Sequence, residues 1–372
     1  MSYNWQQKNW PEFTYDLSRV EEKLYLFSEK IGLVSGVLKA LPEHTQLSAF
    51  IDTMVAEAIK TSEIEGEYLS RNDVMSSIRN NLGLNDKPEP VSDKKAKGIG
   101  QLMVDVRNTF SASLDQETLF SWHSMLLGTD NKIKAGQWRN SAERMQVVSG
   151  TYGKEKVYFE APPSDRVPEE MQQFITWFNA TAPGGKAPII QAPVRSAIAH
   201  LYFETIHPFE DGNGRIGRAV AEKALSQGIG RPALLALSKT IEADKAAYYE
   251  ALKTAQRSNE ITAWITWFVD VVVAAQSDAE QQIYFTLKKA KFFDRFRDQL
   301  SARQLKVISR MLEEGPVGFE GGMNARKYAS ITQVSKATAT RDLQDLVEQG
   351  IFVGITGMSG RSTAYELALN PI

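Results

Sequence analysis

The chain has no cysteine among its 372 residues. That absence removes disulfides, thiolate nucleophiles and Cys-ligated zinc together, and it suits a reducing, cytoplasmic setting. Excess charge is scarce as well: 43 Lys plus Arg stand against 45 Asp plus Glu, a net of -2. No whole-chain field therefore drives it toward nucleic acid or an anionic membrane. Nor does any stretch approach the roughly 20 apolar residues of a membrane span. The first eleven residues, with Trp5, Lys8 and Trp10 among polar neighbours, do not read as a signal peptide. What is present is 42% hydrophobic residues, enough for two or three domains with ordinary cores.

Apolar residues recur at helical spacing over 24–38 and 50–64, so the first hundred residues read as helical. A charged, proline-bearing stretch at 85–97 reads as a surface loop, and helical patterns resume at 99–110 and 118–127. Short β-favouring runs at 145–148 and 157–159 flank Ser149-Gly150-Thr151-Tyr152-Gly153 and predict a hairpin. Helices are expected at 167–177, at 194–206 ending before Pro208, at 244–257 and at 261–285, with a Pro/Gly loop over 182–193. The tail adds helices at 304–312, 325–329 and 336–348, then two β-like runs at 351–355 and 362–367.

One segment carries chemistry: His207-Pro208-Phe209-Glu210-Asp211-Gly212-Asn213-Gly214-Arg215-Ile216-Gly217-Arg218. Gly212 and Gly214 let backbone approach an anion, and the N–H groups opening the next helix point at it with the helix dipole behind them. Arg215 and Arg218, three apart, leave one helix face and can grip phosphate oxygens. Asp211 suits Mg²⁺ bridging phosphates, Asn213 can donate to a phosphate oxygen, and His207 can take the proton of an attacking hydroxyl near neutral pH. A zinc site from His200 and His207 lacks a third ligand.

The segment matches, at every defined position, the Fic family signature His-Pro-Phe-x-Asp/Glu-Gly-Asn-Gly-Arg-x-x-Arg. The resemblance extends over about 115–270, with Ala135-Gly136-Gln137-Trp138-Arg139 before the hairpin and Pro162-Pro163 after it. It implies a mainly α fold: a helical core with a β-hairpin flap that clamps the target as an added strand. It also implies transfer of AMP from ATP to Ser, Thr or Tyr hydroxyls, with His207 as general base, Asp211 as the Mg²⁺ ligand and residues 212–218 (Gly212, Asn213, Gly214, Arg215, Ile216, Gly217, Arg218) on the phosphates. Phosphate-transferring relatives carry lysine where this chain has Gly214.

Thr61-Ser62-Glu63-Ile64-Glu65-Gly66 fits the pattern Ser/Thr-x-x-x-Glu-Gly/Asn, which Fic proteins use as an inhibitory helix. Thr61 and Glu65 share a helical face, and Glu65 can pair with Arg218 and deny it to the ATP γ-phosphate. Removal of AMP, with the same glutamate positioning water, is an alternative, as is transfer of another nucleotide such as UMP. Tyr249, Leu252 and Gln256 form a helical face where the family places its adenine pocket, and Val148 of the first hairpin strand joins them.

The chain reads as an N-terminal helical region (1–98), a catalytic domain (99–296) and a tail (297–372) whose helix, short helix, helix and hairpin follow the order of a winged helix-turn-helix, with Thr338, Thr340 and Arg341 on its recognition helix. From 301 onward eight basic residues meet seven acidic ones, a net of +1. That is a poor footprint for DNA, and Asp342, Asp345 and Glu348 lie on the recognition helix itself. Homodimerisation or target docking ranks ahead, with a protein substrate, including the chain itself, as the main partner. A transcriptional regulator with a nucleotide-sensing core is the rival reading.

Overall fold

The computed structural model describes residues 2–128, 130, 133–149, 156–355 and 363–369, with the side chains of Val148, Ser149, Lys156 and Val317 left out. In chain order the elements are α1 (Glu21–Lys39), α2 (Glu43–Ile64), α3 (Arg71–Asn81), α4 (Lys94–Asn108), α5 (Gln116–Leu127), β1 (Gln146–Ser149) and β2 (Lys156–Glu160). They continue with α6 (Val167–Ala180), α7 (Ala192–Ile206), α8 (Asn213–Ile229), α9 (Leu237–Ala243), α10 (Lys245–Ala255) and α11 (Thr262–Phe296). The last are α12 (Ala302–Leu312), α13 (Ala325–Thr332), α14 (Lys336–Glu348), β3 (Phe352–Gly354) and β4 (Tyr365–Leu367). The fold is mainly helical, as expected.

Starts and stops follow local chemistry. Side chains of Ser70, Asp93, Asp115 and Asp244 cap α3, α4, α5 and α10, and a proline opens α6 and α7. The Asp93 cap starts α4 inside the stretch expected to be loop. Two elements run differently from the sequence pattern: α9 was not foreseen, and α11 continues eleven residues past the expected end at 285 because Phe292 and Phe296 keep an apolar face buried.

By packing, the chain forms two compact units. One unit comprises Met1–Leu33 with Phe50–Ala279, the other Val34–Ala49 with Glu280–Ile372. In the first, every residue of α7 is buried. Leu102, Trp122, Phe174 and Phe203 pack in one core cluster, and Leu201, Leu225, Trp264 and Phe268 in another. α8 lies along α7, joined by Ser196 Oγ donating to the Ala221 carbonyl at 2.7 Å. The flap is an antiparallel pair, β1–β2, with a register shift between Val147 and Val148. In the second unit, α12, α13 and α14 enclose Val307, Ile308, Leu343 and Leu346, followed by the antiparallel pair β3–β4. Among the described residues no helix is long and apolar enough to cross a membrane.

Helix packing supplies a stability test. A methyl at Gly98 would collide with the Met125 carbonyl where α4 meets α5, whereas nothing lies near a methyl at Gly32 in α1. Gly98→Ala should cost about 1–3 kcal/mol, and Gly32→Ala should gain up to about 1 kcal/mol. All 7 tryptophans lie in the first unit, so urea unfolding read by tryptophan fluorescence reports on it alone. Equal midpoints for the two variants would contradict this packing.

Candidate active site

α7 ends at His207, which adopts the left-handed conformation (φ 51°, ψ 60°) normally left to glycine at a helix terminus. Few residues with a side chain adopt this backbone, histidine being one of the more tolerant. The chain turns back through Pro208–Gly212, and Gly212 at φ 79° opens α8. Asn213 clamps this loop, accepting from Phe209 N at 2.9 Å and donating to the Phe209 carbonyl at 2.8 Å. Its amide shapes the loop with its oxygen and one of its two hydrogens, and the residue also lines the cleft described below. Phe209 is fully buried and stacks on His123 at 4.1 Å.

Arg139 braces the loop from outside. It is 3% exposed and donates to the carbonyls of His207 (2.7 Å), Pro162 (2.5 Å) and Ile206 (3.3 Å), while its backbone N–H meets the Pro208 carbonyl. These bonds tie the segment that follows β2 to the His207 loop. The N-terminal segment adds to this frame: Trp5 Nε1 donates to the Glu160 carbonyl at 2.8 Å, Tyr3 packs edge-on against Phe159, and Asn4 Nδ2 donates to Thr205.

The first-turn N–H groups of α8 have no intrahelical acceptors and face a cleft of about 790 Å³, a size suited to a nucleotide. His207, Asp211, Gly212, Asn213 and Gly214 line it from one side, flap residues Met145, Val147 and Tyr158 from another, and Tyr249, Leu252 and Gln256 from α10. The expected adenine-pocket trio thus shares one wall, although the Gln256 amide also donates to the Glu204 carbonyl. The backbone of Val148 pairs with Val157, and its side chain lies outside the described part. Ile216 is buried in the core and Gly217 packs against α7, so neither faces the cleft.

The C-terminal end of α2 covers the arginines. Arg218, 2% exposed, donates to Thr61 Oγ1 at 2.7 Å, to the Thr61 carbonyl at 2.9 Å and to Glu65 Oε1 at 2.7 Å. Burial alone would raise the Glu65 pKa, but the charges of Arg218, Arg215 and Lys245 hold it below the ordinary carboxylate value. A methyl at Gly214 would strike Glu65 Oε1, so the glycine admits the carboxylate. Gly66, at φ 81°, then turns the chain and brings Glu67 to Arg215 at 2.6 Å and to Lys95 at 2.7 Å. Glu67 was not foreseen: it lies beyond the helix, where periodicity gives no information. Lys245, also unforeseen, donates to the Ile64 carbonyl.

Asp211 takes one hydrogen bond, from Gly212 N at 2.5 Å, and its side chain is 56% exposed toward the cleft. A single exposed carboxylate suits Mg²⁺, which takes one or two carboxylates alongside phosphate oxygens. Among the described residues no cluster of three His, Asp or Glu forms a site without phosphates. His200 is fully buried, with Nε2 at 3.0 Å from Tyr248 OH, and so is no zinc ligand.

Residues 113–225 match the Fic/DOC family model, and residues 3–84 match that of a domain of unknown function (DUF4172). The chain carries a Fic domain. Similarity to individual proteins is distant. The chain is 24% identical over 205 residues to "Protein adenylyltransferase fic-1" of Caenorhabditis briggsae, covering 54% of this chain and 35% of that one. It is 36% identical over 67 residues to a probable protein adenylyltransferase of Aquifex aeolicus, 18% and 19% of the two chains. The chain thus spans less than half the length of these curated relatives. A Fic family protein from Desulfovibrio desulfuricans superposes with a TM-score of 0.55 at 19% identity, over 97% of this chain and 99% of that one. Fic-1 from Caenorhabditis elegans gives 0.53 at 19% identity, over 72% and 74%. These likenesses establish the fold.

Burial lowers the pKa of His200, on α7, to about 4. The unfolded chain binds this proton below about 6.5 and the folded chain refuses it down to about 4, so the His200 contribution to stability is lost as pH falls through that window. The advantage of the wild-type chain over His200→Gln, measured by urea unfolding, should shrink steadily from pH 6.5 to 4. A pH-independent gap would contradict a neutral buried imidazole.

Proposed function

We infer that the Fic domain transfers AMP from ATP to a hydroxyl of a protein and that its own Glu65 holds it inactive at rest. The observation that carries this reading is the Arg218–Glu65 ion pair at 2.7 Å, set across the phosphate-binding end of α8 and beside His207. Arg218 lies on α8, and its burial there calls for a counter-charge, which the end of α2 supplies.

In this account the α-phosphate lies on the N–H groups of α8, and Arg215 and Arg218 neutralise the β- and γ-phosphates once Glu67 and Glu65 withdraw. His207 accepts the proton of the target Ser, Thr or Tyr hydroxyl as its oxygen bonds to the α-phosphorus; the bond to the bridging oxygen breaks and pyrophosphate leaves. Mg²⁺ held by Asp211 would supply positive charge to the departing phosphates. Burial, then Arg139, pushes the His207 pKa down to about 4, so the imidazole is neutral and ready to accept at pH 7. The flap pair offers an open strand edge to a target peptide.

With α-labelled ATP and Mg²⁺, Glu65→Gly should raise labelled protein at least about tenfold, the worth of one charge-assisted contact. Unchanged labelling would remove the inhibitory role. His207→Ala in the same background should abolish transfer. Glu67→Gln, which removes the closer of the two carboxylates on Arg215 (Asp211 stays at 3.8 Å) and leaves Arg218 held, should give a smaller rise than Glu65→Gly; a larger one would reverse the order of the two carboxylates.

The tail supports a second reading as a DNA-binding wing. Asp342 is turned inward, pairing with Arg303 at 3.1 Å and accepting from Tyr328 OH at 2.9 Å, while Thr340 and Arg341 are exposed on α14. A salt-dependent gel shift by the full chain would support it, and Arg341→Ala should then weaken binding.

A further inference from the structure

Glu204 lies one turn before His207, on the α7 face it shares with His200, and both Glu204 and His207 border the cleft. It is 5% exposed, and its Oε2 lies 3.7 Å from His207 Nδ1. Glu204 Oε1, His207 Nδ1 and His200 Nδ1 are each buried without a hydrogen-bond partner. Three such atoms on one helix face are costly apart, and a carboxyl between two imidazoles can satisfy them together. Gly217 makes the room: an added Cβ would strike Glu204 Oε1 and press on His200 Nδ1 at 3.3 Å. The other acceptor near the ring edge is the Glu204 backbone carbonyl, and Arg218 and Glu65 face the carboxyl from α8 and α2.

We propose that Glu204 is a positioning residue for His207, its carboxyl group accepting the Nδ1 hydrogen so that Nε2 stays turned to the cleft. The inference rests on His207 being the base. The 3.7 Å separation closes with a small rotation, as catalytic contacts tighten when substrate binds. When the hydroxyl proton arrives at Nε2, the Nδ1 hydrogen remains inward and the oxygen behind it steadies the imidazolium, the service an orienting carboxyl gives other catalytic histidines. Burial also pushes the Glu204 pKa up to about 8, so at neutral pH it is largely a neutral acid. One oxygen then accepts from His207 while its O–H is free to meet His200, and glutamine is its closest mimic.

The test uses the full chain in the Glu65→Gly background. Glu204→Leu should lower kcat for AMP transfer about ten- to a hundredfold, up to the lower bound of a general base's own contribution, with KM for ATP little changed. Glu204→Gln should retain most of the rate, and Gly217→Ala, which displaces the carboxyl, should fall with the leucine variant. A readout independent of activity comes from two-bond ¹⁵N–¹H spectra of the 4 histidines, with His207 assigned by its loss in His207→Ala. Glutamate and glutamine should hold His207 as the Nδ1-protonated tautomer, and leucine should give a mixture. An unchanged tautomer or an unchanged kcat in Glu204→Leu overturns the proposal. Silence of the Glu65→Gly parent would instead count against the proposed reaction, and the tautomer would still judge Glu204.

Discussion

A guanidinium cannot be buried without partners, and Arg218 is buried almost completely. Its partners come from the last turn of α2: the Thr61 hydroxyl, the Thr61 carbonyl and the Glu65 carboxylate. Two helix ends thereby meet, the negative end of α2 against the positive end of α8. The α2 terminus supplies the charge that a phosphate chain would bring. Its partner is set rigidly, because the loop between α7 and α8 is fixed by Asn213 inside and Arg139 outside.

Other features follow from that contact. Gly214 is required because Glu65 comes so close, and Gly66 turns the chain so that Glu67 takes the second arginine. Both guanidinium groups are occupied by carboxylates from one short segment. If Glu65 is withdrawn, Arg218 keeps the neutral Thr61 contacts but loses its counter-charge, leaving a buried cation that favours an incoming anion. The same arginine faces Glu204, so the Arg218–Glu65 pair and the carboxyl beside His207 are joined through one charge.

The helical fold and the core of the site were legible in the sequence because they are local. The segment from His207 to Arg218 and the pair Thr61/Glu65 are defined by spacing along single turns, which sequence displays directly. Arg139 stood within the family resemblance but without a role, and Glu67, Lys245 and Glu204 were not legible as site residues. Arg139 works across 68 residues to the His207 carbonyl, and Glu67 across 148 to Arg215. Glu204 sits in an apolar helix and acquires meaning only once Gly217 of the next helix lies against it. The Trp-rich N-terminus likewise carries no chemical motif, yet Trp5 and Tyr3 hold the second flap strand.

The central claim is that Glu65 occupies the place of the terminal phosphate on Arg218. Calorimetric affinities for ATP and ADP, in Mg²⁺, test it most directly in the wild-type and Glu65→Gly chains. The account predicts little preference for ATP in the wild-type chain and a gain of about tenfold or more in the ratio once Glu65 is removed, the worth of one charge-assisted hydrogen bond. The same ATP-to-ADP ratio in both chains would contradict it.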